Sequence, residues 1–126
     1  MGGRMLKKGG RSRIVLVTCA TPAEARRIAR SVIGRWLAAC VNIILSPVES
    51  FYTWKGKVER AREYLLVMKT TAKRLAALEN EVKRLHSYDV PEFIALPISA
   101  GSKKYLSWLE ESVAKAPKNR NRGRYS

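Results

Sequence analysis

Ile14-Val15-Leu16-Val17-Thr18-Cys19, followed closely by Thr21-Pro22-Ala23-Glu24, is the junction whose reading decides the fold. The first run is rich in β-branched residues and does not alternate, as in a strand at the centre of a sheet or covered on both faces. The second run supplies an N-cap hydroxyl, a proline at the first helical position and a glutamate placed to close a capping box. A helix therefore starts at Thr21. Ala25, Ile28, Ala29, Val32, Ile33 and Trp36 give it one apolar face at three-and-four spacing, with Arg26, Arg27, Arg30 and Arg35 outside that face. The apolar face must lie on the sheet.

Downstream, Cys40 to Trp54 again favours a strand, Trp54-Lys55-Gly56-Lys57 supplies a tight turn, and a return strand is expected from Val58 to Thr70. The hairpin is long and its distal part is charged (Glu49, Glu59, Arg60, Arg62, Glu63), so it is expected to project beyond the sheet. Thr71 is placed to cap a second helix with the stripe Leu75, Leu78, Val82 and Leu85, ending near His86. Phe93 to Ile98 reads as the last strand, and Gly101-Ser102 introduces a short helix carrying Tyr105, Leu106, Leu109 and Val113. The order is βαββαβ plus a terminal helix, which right-handed crossovers turn into an α+β split βαβ sandwich of the ferredoxin-like kind. In that topology the second and fourth strands lie at the edges. These are the strands with a proline, Pro47 and Pro97, which cannot donate to a ladder.

The chain of 126 residues suits one domain, expected over residues 13–114, with basic flexible ends at 1–12 and 115–126. The formal charge is +15, but Arg4, Lys7, Lys8, Arg11 and Arg13 at one end and Lys115, Lys118, Arg120, Arg122 and Arg124 at the other supply most of it. Such ends contact nucleic acid non-specifically through counterion release. Of the strands expected at the centre, the first has no aromatic residue and the third has only Tyr64, which argues against sequence-specific RNA binding. No apolar run approaches the roughly 20 residues of a membrane span, and no signal-peptide core follows the basic start, so a cytoplasmic protein without a membrane partner is expected. Cys19 and Cys40 are then expected to be reduced. The lack of glutamine and the wealth of arginine hint at a thermophilic source, where internal disulfides do occur.

The sequence contains one histidine, no nucleophile elbow, no H-E-x-x-H and no phosphate loop, so no enzyme is expected. Cys19 or Cys40 with His86 can be arranged as a nucleophile pair or as soft-metal ligands, but the spacing matches no closed zinc motif. Core cysteines and a polar histidine at a helix end are the plainer reading.

Leu37-Ala38-Ala39-Cys40-Val41-Asn42-Ile43, Ser50-Phe51-Tyr52-Thr53-Trp54-Lys55-Gly56-Lys57, Lys69-Thr70 and His86-Ser87-Tyr88-Asp89-Val90-Pro91-Glu92, with Gly101 and Tyr105-Leu106-Ser107-Trp108, together resemble the CutA family of divalent-cation tolerance proteins. The resemblance covers about residues 13 to 113. It implies a homotrimer in which long hairpins extend neighbouring sheets, as in PII signalling proteins. It also implies metal tolerance with binding of Cu(II) or another divalent ion, not required for folding, through Cys19 and His86, with carboxylates such as Glu63 or Glu92 nearby. Leu85 stands where some members have a second histidine, and Ser87 where the family usually has proline. The PII likeness offers an alternative, a sensor or scaffold holding an anionic ligand or a partner protein in clefts between protomers. Trp54, Glu63, Lys69, Tyr88 and Glu92 are the cleft candidates.

Overall fold

The structure is a computed structural model and describes residues 5–114. Its strands are β1 (Leu6–Lys8), β2 (Ser12–Cys19), β3 (Cys40–Ile43), β4 (Val48–Trp54), β5 (Lys57–Thr71), β6 (Ile94–Pro97) and β7 (Ala100–Ser102). Its helices are α1 (Pro22–Gly34), α2 (Leu75–Leu85) and α3 (Lys103–Ser112), with a 3₁₀ turn at Ala72–Arg74 leading into α2. The main sheet runs β3-β5-β2-β6, and β4 pairs with the outer part of β5. This is the ferredoxin-like arrangement. Pro97 ends an edge strand and Pro47 lies in the interruption of the other, so neither removes a donor from the two central strands.

The core forms where β2 and β5 present alternate residues to α1 and α2. Val15, Val17 and Cys19 meet Leu66 and Met68 beneath Ala25, Ile28 and Val32 of α1 and Leu78 and Val82 of α2. Ile14 and Leu16, alternating with that set, are only half-buried in the protomer. α3 packs separately, against β1, β2, β5 and β7, and buries Leu106 and Leu109.

Four local features differ from the sequence-based expectation. First, the strand expected over residues 40–54 is two strands. Cys40–Ile43 pairs with Leu66–Lys69 and Val48 pairs with Glu63, so residues 44–47 face only residues 64–65, and this bulge bends β4 away from β3. Second, ordered structure begins before residue 13. Leu6–Lys8 pairs antiparallel with Ala100–Ser102, and Ser12 is buried opposite Thr71. The segment taken as a flexible end therefore joins the fold from residue 6, while residues 1–4 and 115–126 lie outside the described residues. Third, Thr71 precedes the 3₁₀ turn without a side-chain cap, and α2 starts at Leu75. Fourth, Thr21 does cap α1, accepting the Glu24 N–H at 3.1 Å, but the Glu24 carboxylate is drawn into the protein and serves other donors.

The hairpin is as long as expected. β2 reaches only to Tyr64, so residues 57–63 of β5 pair with β4 alone. Its turn places Lys55 at φ 52° and Gly56 at φ 81°, the two successive positive values that match the twist of a tight hairpin.

Candidate functional site

Three chain segments converge at one end of the core. β2 ends at Cys19, the first turn of α1 carries Glu24, and α2 ends just before His86. One ligand atom from each, sulfur, carboxylate oxygen and ring nitrogen, lies within 4.8 Å of the other two. The sequence candidates Cys19 and His86 are therefore neighbours. The third member, Glu24, was read as a helix cap.

The bonds in this cluster define its resting state. His86 Nε2 lies 2.7 Å from the Thr18 carbonyl oxygen, which can only accept, so Nε2 carries a proton. Nδ1 accepts the Tyr88 backbone N–H at 3.1 Å and so presents its lone pair there. The Glu24 carboxylate approaches Nδ1 at 3.3 Å and accepts from Ser87 twice, from the backbone N–H at 2.7 Å and from the hydroxyl at 2.9 Å. The His86 side chain is fully buried. Burial, reinforced by the charges of Glu24 and Glu63 and opposed by Arg27, pushes the Cys19 thiol up to about 12, so it is protonated at neutral pH.

Next to this cluster opens a cleft of about 630 Å³, lined by Phe51, Tyr52, Trp54 and Tyr88 together with Glu63, Asp89 and Glu92. The cleft candidates Trp54, Glu63, Tyr88 and Glu92 share it. Tyr88 donates its hydroxyl to Glu63 Oε2 at 2.9 Å, and its phenol is raised by burial first and then by that bond. The Glu92 carboxyl is raised as well, by burial and by the nearby Glu63 charge. Lys69 is not part of the cleft in the protomer. It lies opposite Cys40, with Nζ donating to Asn42 Oδ1. Asp89 and Phe51 also line the cleft; both stand in the segments that carry the family resemblance but were not singled out as cleft candidates from sequence.

Cys19 and Cys40 are both free thiols. Along β5, Cys19 is level with Tyr64 and Cys40 with Lys69, with β5 itself between their strands, so they are too far apart to join. The thermophile alternative of an internal bridge between them is excluded.

By donor type the cluster fits a soft or borderline ion, since thiolate, imidazole and carboxylate are its accepted ligands. The protomer nevertheless holds those donors in other bonds, with a proton on sulfur and a partner on each ring nitrogen.

Comparison with known proteins follows the same lines. The family described as CutA1 divalent ion tolerance protein matches residues 13–112. The divalent-cation tolerance protein CutA of Thermus thermophilus is 44% identical over 100 residues, covering 79% of this chain and 96% of that protein. Protein CutA 1, chloroplastic, of rice is 49% identical over 100 residues, covering 79% of this chain and 56% of that longer protein. The solved structure of the periplasmic divalent cation tolerance protein CutA from Archaeoglobus fulgidus superposes with a TM-score of 0.77 at 40% identity, covering 81% of this chain and 98% of that one. The expected resemblance holds over the whole ferredoxin-like unit: this chain belongs to the CutA1 divalent ion tolerance family.

Proposed function

We propose that this protein acts in divalent-cation tolerance as a binding protein without a catalytic step, receiving copper or another thiophilic divalent ion at Cys19, Glu24 and His86. The observation that carries this reading is the convergence of sulfur, oxygen and nitrogen donors within 4.8 Å. Such an ion would supply the positive charge that lets Cys19 lose its proton. The chain's own residues set the terms. His86 must release one of its two present partners, and Ser87 steadies Glu24 through two donors, so the carboxylate stays at the cluster while the ring adjusts. None of these bonds belongs to the hydrophobic core, which is consistent with folding that does not require the ion.

The same reading includes a cytoplasmic homotrimer. β6 pairs with β2 on one side only, and all of its residues are exposed, Ile94 and Leu96 among them, while Ile14 and Leu16 beside it are half-covered. An apolar edge strand of this kind calls for a partner. Phe51 and Val58 on the hairpin are likewise exposed, at 65% and 78%. Among the described residues no helix is long and apolar enough to cross a membrane. Among the described residues the cleft of the single chain is lined by carboxylates and no basic residue, which gives an anionic ligand no counter-charge from this chain's side of it.

Calorimetric titration of the reduced protein with Cu(II) and Zn(II), beside His86→Ala, tests the site. Whole-number stoichiometry per protomer that is lost in the variant supports it, and heat that the variant retains removes His86. Sedimentation equilibrium tests the trimer.

A further inference from the structure

The trimer reading draws on Ile14, Leu16, the β6 edge and the hairpin, whereas α1 and α2 cover the other face of the sheet, where Val15 and Val17 point. That helical layer is strongly basic: residues 22–35 and 72–85 hold eight basic and three acidic residues. Arg26, Arg27 and Arg30 stand exposed within little more than one turn of α1, at the (i, i+3) and (i, i+4) spacing where like charges repel. Among the described residues no carboxylate lies within 4.0 Å of any of the three. The acids of the layer are engaged elsewhere: Glu24 is buried and holds Ser87, Glu79 pairs with Lys83 at 3.4 Å, and Glu81 is buried.

Where α1 meets α2, the positive charge is also held in place. Arg84 donates Nε and Nη2 to the Glu81 carboxylate at 2.9 and 2.7 Å, and Arg35 Nε lies 3.3 Å from it. Both arginine side chains stay more than half exposed, and a guanidinium has five N–H donors, so each keeps donors for an outside acceptor. With Ala77 and Asn80 they border a recess of about 400 Å³. We propose that the α1–α2 face docks duplex nucleic acid through its phosphate backbone, without reading sequence.

Four features select that partner. Six of the eight basic residues are arginine, whose planar fork matches phosphate oxygens two at a time. The 13 residues of α1 span about 20 Å, a length over which a duplex carries roughly twelve phosphates. The exposed large apolar side chains among the described residues all lie outside α1 and α2, so this face offers neither an anchor for a membrane nor a ring on which unpaired bases stack. Finally, the described chain ends beside this face, where Arg74 Nε donates to the Val113 carbonyl at 2.7 Å, and residues 115–126 bring five more basic residues. The proposal does not rest on Cys19, Glu24 or His86 and is independent of the metal reading.

The test is fluorescence anisotropy of a short labelled DNA duplex with the full-length protein at several NaCl concentrations. The face variant is Arg26→Gln with Arg30→Gln, two residues that make no ion pair to lose among the described residues; the comparison variant is Arg120→Gln with Arg122→Gln near the C-terminus. The expected result is a Kd of roughly 1 to 100 µM near physiological salt. The face variant should weaken binding about tenfold and reduce the slope of log K against log salt by about two, while the C-terminal variant loses less. Absence of duplex binding, a face variant that binds like the wild type, or a loss confined to the C-terminal variant overturns the proposal. So does a preference for phosphatidylserine vesicles or for the single strand over the duplex. A change of oligomeric state in the face variant also overturns it, by assigning this face to a second copy of the chain.

Discussion

The Tyr88 hydroxyl donates to Glu63 Oε2 at 2.9 Å, tying the loop after α2 to the point on β5 where its pairing with β2 ends and its pairing with β4 begins. The bond joins the wall of the cleft to the cluster behind it, because the backbone N–H of the same tyrosine donates to His86 Nδ1. Tyr88→Phe removes the one hydrogen bond that the Glu63 carboxylate accepts among the described residues. Urea denaturation is expected to show a loss of about 1 to 2 kcal/mol with an unchanged slope. Full retention of stability would mean that water replaces the hydroxyl without cost.

Ser87 has two bonds to Glu24, and the two can be separated. Ser87→Ala keeps the backbone N–H and deletes the hydroxyl, for an expected loss of about 1 kcal/mol in thermal or chemical denaturation. Glu24→Ala removes the acceptor of both, leaving the part-buried Ser87 N–H without that partner, and should cost at least twice as much.

Acid sensitivity should trace to Glu81. Its carboxylate accepts from Arg84 at 2.7 and 2.9 Å and from the Ser31 hydroxyl, with Arg35 at 3.3 Å. The Arg84 hydrogen bonds, chiefly, hold its pKa at about 2 against the upward push of burial. A carboxyl whose folded value is depressed stabilises the protein fully above its ordinary value of 4.5 and loses that stabilisation as pH falls toward about 2. Melting temperatures of the wild type and Glu81→Gln, compared from neutral pH downward, should therefore differ most at neutral pH and converge between those two values. A constant difference across the range would sever Glu81 from the acid transition.

The first strand supplies a separate test. A Cβ at Gly9 would lie 1.6 Å from the Ile98 carbonyl oxygen, inside backbone that cannot yield without moving β1 from β7. Gly9→Ala is expected to lower stability by about 1 to 3 kcal/mol and to raise hydrogen exchange at Leu6–Lys8. Gly10, with open space around its Cβ position, has φ +56°, so Gly10→Asn, which tolerates that conformation, should be nearly neutral.

Much of this architecture was legible because it rests on local chemistry. Thr21-Pro22 announces α1, the stripes of α1 and α2 show which faces are covered, and Lys55-Gly56 marks the hairpin turn. What escaped depends on pairing between distant segments. Ile44 and Leu45 continue an apolar strand pattern, and only the register against β5 shows that residues 44–47 are a bulge. Leu6–Lys8 looks like the rest of a basic leader, because its partner Ala100–Ser102 lies at the far end of the chain and carries no periodicity. Glu24 satisfies a helix-start pattern so well that its engagement with Ser87, 63 positions later, left no trace in the sequence. Residue chemistry offered Cys19 or Cys40 with His86 as soft-metal ligands, and the family resemblance selected Cys19, since spacing alone matches no motif. Four of the five cleft candidates share one cavity; Lys69 sits with Asn42 instead.

Cobalt(II) titration of the reduced, full-length protein tests the metal reading most directly, because a cobalt–thiolate bond announces itself by an intense near-ultraviolet charge-transfer band. The account predicts one such band per protomer, growing with pH as the Cys19 proton is displaced and absent in Cys19→Ser. A titration that yields only weak visible bands, or a charge-transfer band that survives Cys19→Ser, would contradict it.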